Sequence, residues 1–134
     1  MKKRLLDTNL IVRHLVQDHK VHAAAAERLF AACDRGEVRL VILPEVVAET
    51  VFVLESFYEH SRENIANVLG DLFASPGIDL ADLEIYLDAL ALYHKSKLHF
   101  VDCVIASHAK ARDLSIATFD KEFNKIPDVK VELE

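Results

Sequence analysis

Apolar positions fall along this chain in short runs that alternate with longer helical stripes. Arg4 to Leu6, closed by Asp7, reads as a short buried strand ending in an acid. Asp7-Thr8-Asn9 then supplies three side chains of the kind that cap helices. A helical segment follows from Leu10 to Val16. A second, Ala-rich one from Val21 to Arg35 carries Leu29 and Phe30 on one face and stops at Gly36. Val38 to Leu43 (VRLVIL) is almost wholly apolar, the pattern of a strand covered on both faces. Pro44 opens a helix where a missing N–H costs nothing, and its continuation, Val46 to Tyr58, is apolar nearly all round, which predicts a buried helix. Ser61 caps a further helix to about Ala74, and Ser75-Pro76-Gly77 breaks the chain. Ile78 to Leu80 reads as a minimal strand, and Asp82 to Lys97 as a helix with Leu83, Tyr86, Leu87 and Leu90 on one side. Another helix runs from near Asp102 to about Arg112. Ser115 to Phe119 (SIATF) has the pattern of a buried strand, and Val129 to Leu133 that of an edge strand after Pro127.

Strands alternating with helices imply parallel β-α units joined by right-handed crossovers. The fold class expected is α/β: a three-layer α/β/α domain with a four- to five-stranded, mainly parallel sheet. In such sheets ligands bind beyond the carboxyl ends of the strands, which singles out the turns at Asp7, near Asp102 and at Asp120.

A length of 134 residues fits one domain over residues 1–134, with no chain left for a second. Sixteen Lys and Arg stand against 22 Asp and Glu, a formal net charge of −6, which argues against a protein that coats nucleic acid through a basic surplus. It does not exclude a nucleic-acid enzyme whose acids are gathered in one place. An apolar fraction of 51% supplies a core and rules out disorder. Cys33 and Cys103 are far apart and form no CxxC pair, so a disulfide framework or zinc ribbon is not expected and a reducing cytosol suits the chain. The basic start (Lys2, Lys3, Arg4) meets Asp7 before any signal-peptide apolar region can form. No apolar run approaches about 20 residues. The expected location is the cytoplasm, with no membrane partner.

Four acids stand in apolar company: Asp7 in LLDTNLIV, Glu49 in VVAETVFVL, Asp102 in FVDCVIA and Asp120 in IATFD. Burying an isolated carboxylate is costly, and such groups neutralise, pair or bind a cation. No Lys or Arg lies one helical turn beyond Asp7, or on either side of Glu49, to pair locally. All-oxygen ligation favours Mg²⁺ or Mn²⁺ over Zn²⁺. Such a cluster can hold one ion, or two that divide water activation and leaving-group stabilisation between them.

LLDTN at the start, Glu49 on an apolar helix, Asp102 heading FVDCVIASHA, and ATFDKEF near the end together resemble a PIN-domain ribonuclease. In order, spacing and length they look most like the VapC toxins of VapBC toxin–antitoxin modules, across essentially the entire chain. The resemblance implies that Asp7, Glu49, Asp102 and Asp120 form an acidic metal site. It further implies that Thr118 orients an acid or water and that Asn9 braces the first acid. It implies Mg²⁺- or Mn²⁺-dependent cleavage of an RNA substrate, a homodimer, and inhibition by a cognate VapB-like antitoxin. Glu45 lies one turn before Glu49; Glu49 is preferred because the family places its acid inside the apolar helix.

Plainer readings stand beside these. Asp7-Thr8-Asn9, Asp102 and Asp120 also read as helix caps, and Thr118 as a β-branched strand residue. His99 and Cys103, four apart, would suit a nucleophile or zinc site, but Cys103 reads better as a small apolar residue. Scattered Lys and Arg read as a solvated surface, and the aromatics as mostly core. A receiver-like phosphoacceptor domain shares the α/β rhythm and an acidic Mg²⁺ site, but it wants an adjacent acid pair after strand one, and only Asp7 is there. A non-catalytic PIN-fold binding module is the third reading; its usual signature is the loss of an acid, and all four are present.

Overall fold

The computed structural model describes residues 2–133. These fall into two compact units, one ending at Ala81 and one beginning at Asp82.

The first unit contains β1 (Lys2–Leu5), α1 (Thr8–Val16), α2 (Lys20–Asp34), β2 (Val38–Val41), α3 (Pro44–Ser56), α4 (Arg62–Phe73) and β3 (Ile78–Asp79). Its strands form a parallel sheet in the order β1-β2-β3, with Leu5 opposite Val41 and Val41 opposite Asp79. Each parallel step therefore crosses over through a pair of helices, as the alternating pattern predicts. β2 holds the middle. Val38 and Leu40 are buried while Arg39 and Val41 are half-buried, so one face of this strand is fully covered and the other only in part. β1 differs from expectation: all four of its residues are exposed, and only the following Leu6 is buried. The reason is local. Among the described residues β1 pairs with β2 alone, and Lys2, Lys3 and Arg4 keep their charges in water, which also blunts the strand against pairing with another chain.

Helix boundaries follow local chemistry. α2 stops because Gly36 takes φ +77, which lets the Glu37 N–H reach back to the Ala32 carbonyl at 3.0 Å. The Ser61 hydroxyl accepts the Asn64 N–H at 3.0 Å and starts α4, whose Ile65, Leu69, Leu72 and Phe73 form one buried stripe. α3 is not buried all round. Val47, Thr50, Val51 and Leu54 face inward, while Glu45, Glu49, Phe52 and Ser56 form an exposed stripe.

The second unit packs α5 (Leu83–Lys95) on α6 (Phe100–Arg112) and ends in a 3₁₀ turn, Lys121–Lys125. The packed face of α5 is Tyr86, Ala89, Leu90 and Tyr93; Leu83 and Leu87 are half-buried. Tyr93 meets Phe100 edge to face, with ring centroids 5.8 Å apart. Lys110 bridges Asp88 at 3.0 Å. Burial pushes the Asp88 carboxyl up, but the Ser107 hydroxyl and the Lys110 ammonium outweigh it, leaving the group below its ordinary range.

The expected strands at Ser115–Phe119 and Val129–Leu133 shrink to one parallel bridge between Ile116 and Val131. Two bonds secure it, Ile116 N–H to the Lys130 carbonyl at 2.8 Å and Glu132 N–H to the Ile116 carbonyl at 2.9 Å. The chain then leaves the extended path because side chains capture its donors. The Asp120 N–H goes to Thr118 Oγ1 at 3.0 Å, and the Glu122 N–H to Asp120 Oδ1 at 2.9 Å. Among the described residues the extended sheet thus has three strands rather than the four to five expected, and no helix is long and apolar enough to cross a membrane.

Candidate active site

The six residues singled out in the sequence divide between the two units. Asp7, Asn9 and Glu49 belong to the first, and Asp102, Thr118 and Asp120 to the second.

In the first unit the parallel register puts the ends of β1 and β2 on one edge of the sheet, where the Leu6 N–H donates to the Val41 carbonyl at 2.9 Å. Asp7 follows β1 on that edge and occupies the cap position of α1 with extended backbone (φ −84, ψ 151). A capping aspartate would accept an N–H from the first turn, but the Asp7 side chain makes no such bond. Its carboxylate is exposed and pairs with nothing among the described residues. Thr8, directly after it, is buried with its hydroxyl unpaired among the described residues. Asn9 is exposed beside a 250 Å³ hollow that Leu10, Arg13, His22 and Ala25 also line.

Glu49 is exposed on the outer stripe of α3, one turn beyond the equally exposed Glu45. The expectation that Glu49 interrupts a dry helix is therefore corrected: the helix is apolar in composition, but its inward face holds only part of the apolar residues. No burial penalty forces a cation onto this acid.

Asp102 lies in the first turn of α6, half-buried, and its carboxylate makes no bond among the described residues. Asp120 does cap. Its Oδ1 is committed to Glu122, while Thr118 braces it from the other side by accepting its N–H. So two of the four acids, Asp7 and Asp120, stand at helix caps and only Asp120 bonds as a cap, while Asp102 lies within the first turn of α6. Four carboxylates are a hard, all-oxygen donor set suited to Mg²⁺ or Mn²⁺. Among the described residues, no three His, Cys, Asp or Glu are grouped closely enough to hold a metal ion as they stand. Cys103, weighed with His99 as a nucleophile or zinc ligand, is fully buried in α6.

Sequence reasoning missed a second feature of the first unit. Arg13 Nη1 donates to Asp18 Oδ1 at 2.7 Å and to the Tyr58 hydroxyl at 3.1 Å, and Tyr58 donates to Asp18 Oδ2 at 2.7 Å. The Tyr58 hydroxyl, then Arg13, hold the Asp18 carboxyl below its ordinary value against the push of desolvation. Asp18 in turn raises both Arg13 and Tyr58. No local signal exposes this triad, because Asp18 and Tyr58 are 40 residues apart. The aromatics are mostly core, as expected, with Phe52, Phe57 and Phe119 the exposed exceptions.

The PIN domain family model matches residues 4–129, and the chain belongs to that family. Its α/β class and parallel sheet are those expected, and membership removes the receiver-like alternative. The chain is also 26% identical over 125 residues to a VapC ribonuclease of Aquifex aeolicus (strain VF5), across 92% of this chain and 91% of that one. A chain from the crystal structure of VapBC2 from Rickettsia felis bound to a DNA fragment from their promoter is similar at 19% identity and a TM-score of 0.39, covering 98% of each.

Proposed function

We propose that this chain is a metal-dependent endoribonuclease, the VapC-type toxin of a type II toxin–antitoxin pair. The observation that carries the reading is the condition of Asp7 and Asp102. Asp7 stands at the cap of α1 without capping it, Asp102 lies in the first turn of α6, and neither carboxylate has a partner among the described residues. Support comes from the match to the PIN family over residues 4–129, which holds all four acids and crosses both units, as a single nuclease domain over residues 1–134 requires. The likeness to a VapC ribonuclease over nearly the full length of both chains supports RNA as substrate and a VapB-like antitoxin as partner. A homodimer and a cytoplasmic location belong to the same reading.

By this reading Asp7, Asp102 and Asp120 would hold the Mg²⁺ or Mn²⁺, and Glu49 would complete the site or act on water. A divalent ion held there supplies a water of lowered pKa and neutralises charge on the phosphate. Asp120 would contribute its carboxylate, whose Oδ1 accepts the Glu122 N–H, and Thr118 fixes its turn by holding its N–H. Asn9 braces Asp7. Hydrolysis by water leaves a 5′-phosphate and a 3′-hydroxyl.

The test is RNA cleavage by the purified chain with Mg²⁺ or Mn²⁺, against EDTA and against Asp7→Asn. The reading expects cleavage only in the metal-containing wild type. Equal cleavage by Asp7→Asn, folded as judged by circular dichroism, overturns the site; no cleavage of any RNA by the wild type favours the non-catalytic binding module.

A further inference from the structure

Leaving a phenylalanine ring in water forgoes the gain of burying it, and an exposed aromatic beside a functional group is surface available to a partner. Phe119 is 89% exposed, the most exposed large apolar side chain among the described residues. It stands between Thr118 and Asp120, whose side chains take the N–H groups of Asp120 and Glu122. The turn is thus pinned next to the ring, and the backbone holds the ring outward. The inward places of this stretch are already filled by Ile116 and Phe123, both buried. Lys121, two residues on, is exposed and forms no ion pair among the described residues.

We propose that Phe119 is a stacking platform for a base of single-stranded RNA, with Lys121 on the adjoining phosphate, so that it positions the strand beside Asp120. This rests on the ribonuclease reading. Aromatic faces accept any base, and such stacking needs no basic surplus. That suits a chain with a net charge of −6, which lacks the cations to hold RNA by charge alone. Phe57 is also exposed, but it already meets Tyr58 edge to face at 5.1 Å and serves as the control.

The experiment titrates a single-stranded RNA carrying 2-aminopurine, whose fluorescence is quenched by stacking, into the cleavage-deficient Asp7→Asn chain. Adding Phe119→Ala or Phe119→Leu should weaken binding by about 5- to 150-fold and remove the quench, while Phe119→Trp keeps both. Phe57→Ala should bind as the parent does. In the cleaving chain, Phe119→Ala should raise KM with kcat little changed, as loss of uniform binding does. Wild-type affinity in Phe119→Leu would refute stacking. So would a Phe119→Ala chain that loses self-association in light scattering yet binds RNA unchanged, which would assign the ring to a protein contact. Either result leaves the nuclease standing. A parent that neither binds nor cleaves RNA removes the ribonuclease reading and this proposal with it.

Discussion

Gly77 ties β3 to the rest of its unit, and replacing it with alanine separates two costs that usually arrive together. Its backbone sits at φ +87 and its carbonyl accepts the Leu40 N–H of β2 at 2.9 Å. A Cβ placed there would lie 2.5 Å from Cys33 Sγ and 3.1 Å from the Cys33 carbonyl oxygen. Gly36, at φ +77, has nothing within 4 Å of such a Cβ, so it carries the conformational cost alone. Left-handed backbone costs an L-residue about 1–2 kcal/mol, partly offset by about 0.4–1 kcal/mol of lost unfolded-state entropy. Gly36→Ala should therefore destabilise by roughly 1 kcal/mol or less. Gly77→Ala adds overpacking of about 1–3 kcal/mol against a buried neighbour. Cys33 cannot relieve this by ionising into solvent: burial, then the neighbouring Asp34, push its thiol up and keep it neutral. Urea unfolding followed by circular dichroism, with a common slope, measures both variants. Adding Cys33→Ala removes the Sγ contact and should bring most of the excess back, as a favourable coupling in the double-mutant cycle. Equal losses for the two glycine variants, or no rescue by Cys33→Ala, would refute the steric reasoning.

Metal linkage should be visible in stability. Mg²⁺ or Mn²⁺ at ~100 times its Kd adds about 2.7 kcal/mol to a chain that binds it only when folded. The melting shift should vanish in Asp7→Asn/Asp102→Asn, and an undiminished shift there would locate the ion elsewhere. Tyr58→Phe should raise the Asp18 pKa in a carbon-13 titration, because the Tyr58 hydroxyl is the leading cause of its depression. In the wild type this contribution is present above the ordinary carboxylate value of 3.8 and fades as pH falls through the lowered one. Tyr58, being raised, holds its proton past 10.0 and loses its part as pH rises through the higher value. An unmoved Asp18 titration in Tyr58→Phe contradicts the triad.

What the sequence disclosed and what it hid divide along physical lines. Gly36 and Ser61 announced a helix end and a helix start because each acts on backbone groups within a few residues. Glu49 was read in the right helix but the wrong environment, since composition counts Phe52 as buried and only the packing shows it facing out. Beyond the Ile116 bridge the chain turns away for a cause that is local yet easily missed: Thr118 and Asp120 offer their oxygens to the N–H groups of Asp120 and Glu122. One of the acids that mark the chemistry, Asp120, thus caps a turn there. The Arg13–Asp18–Tyr58 triad joins residues that no periodicity links.

The central claim, water-driven RNA cleavage that depends on Asp7, is tested most directly by sequencing RNA ends in cells expressing this chain beside cells expressing Asp7→Asn. The account predicts new ends carrying a 5′-phosphate and a 3′-hydroxyl in the first population and none in the second. The same ends in both populations, or 2′,3′-cyclic phosphate ends made by attack of the ribose hydroxyl, would contradict it.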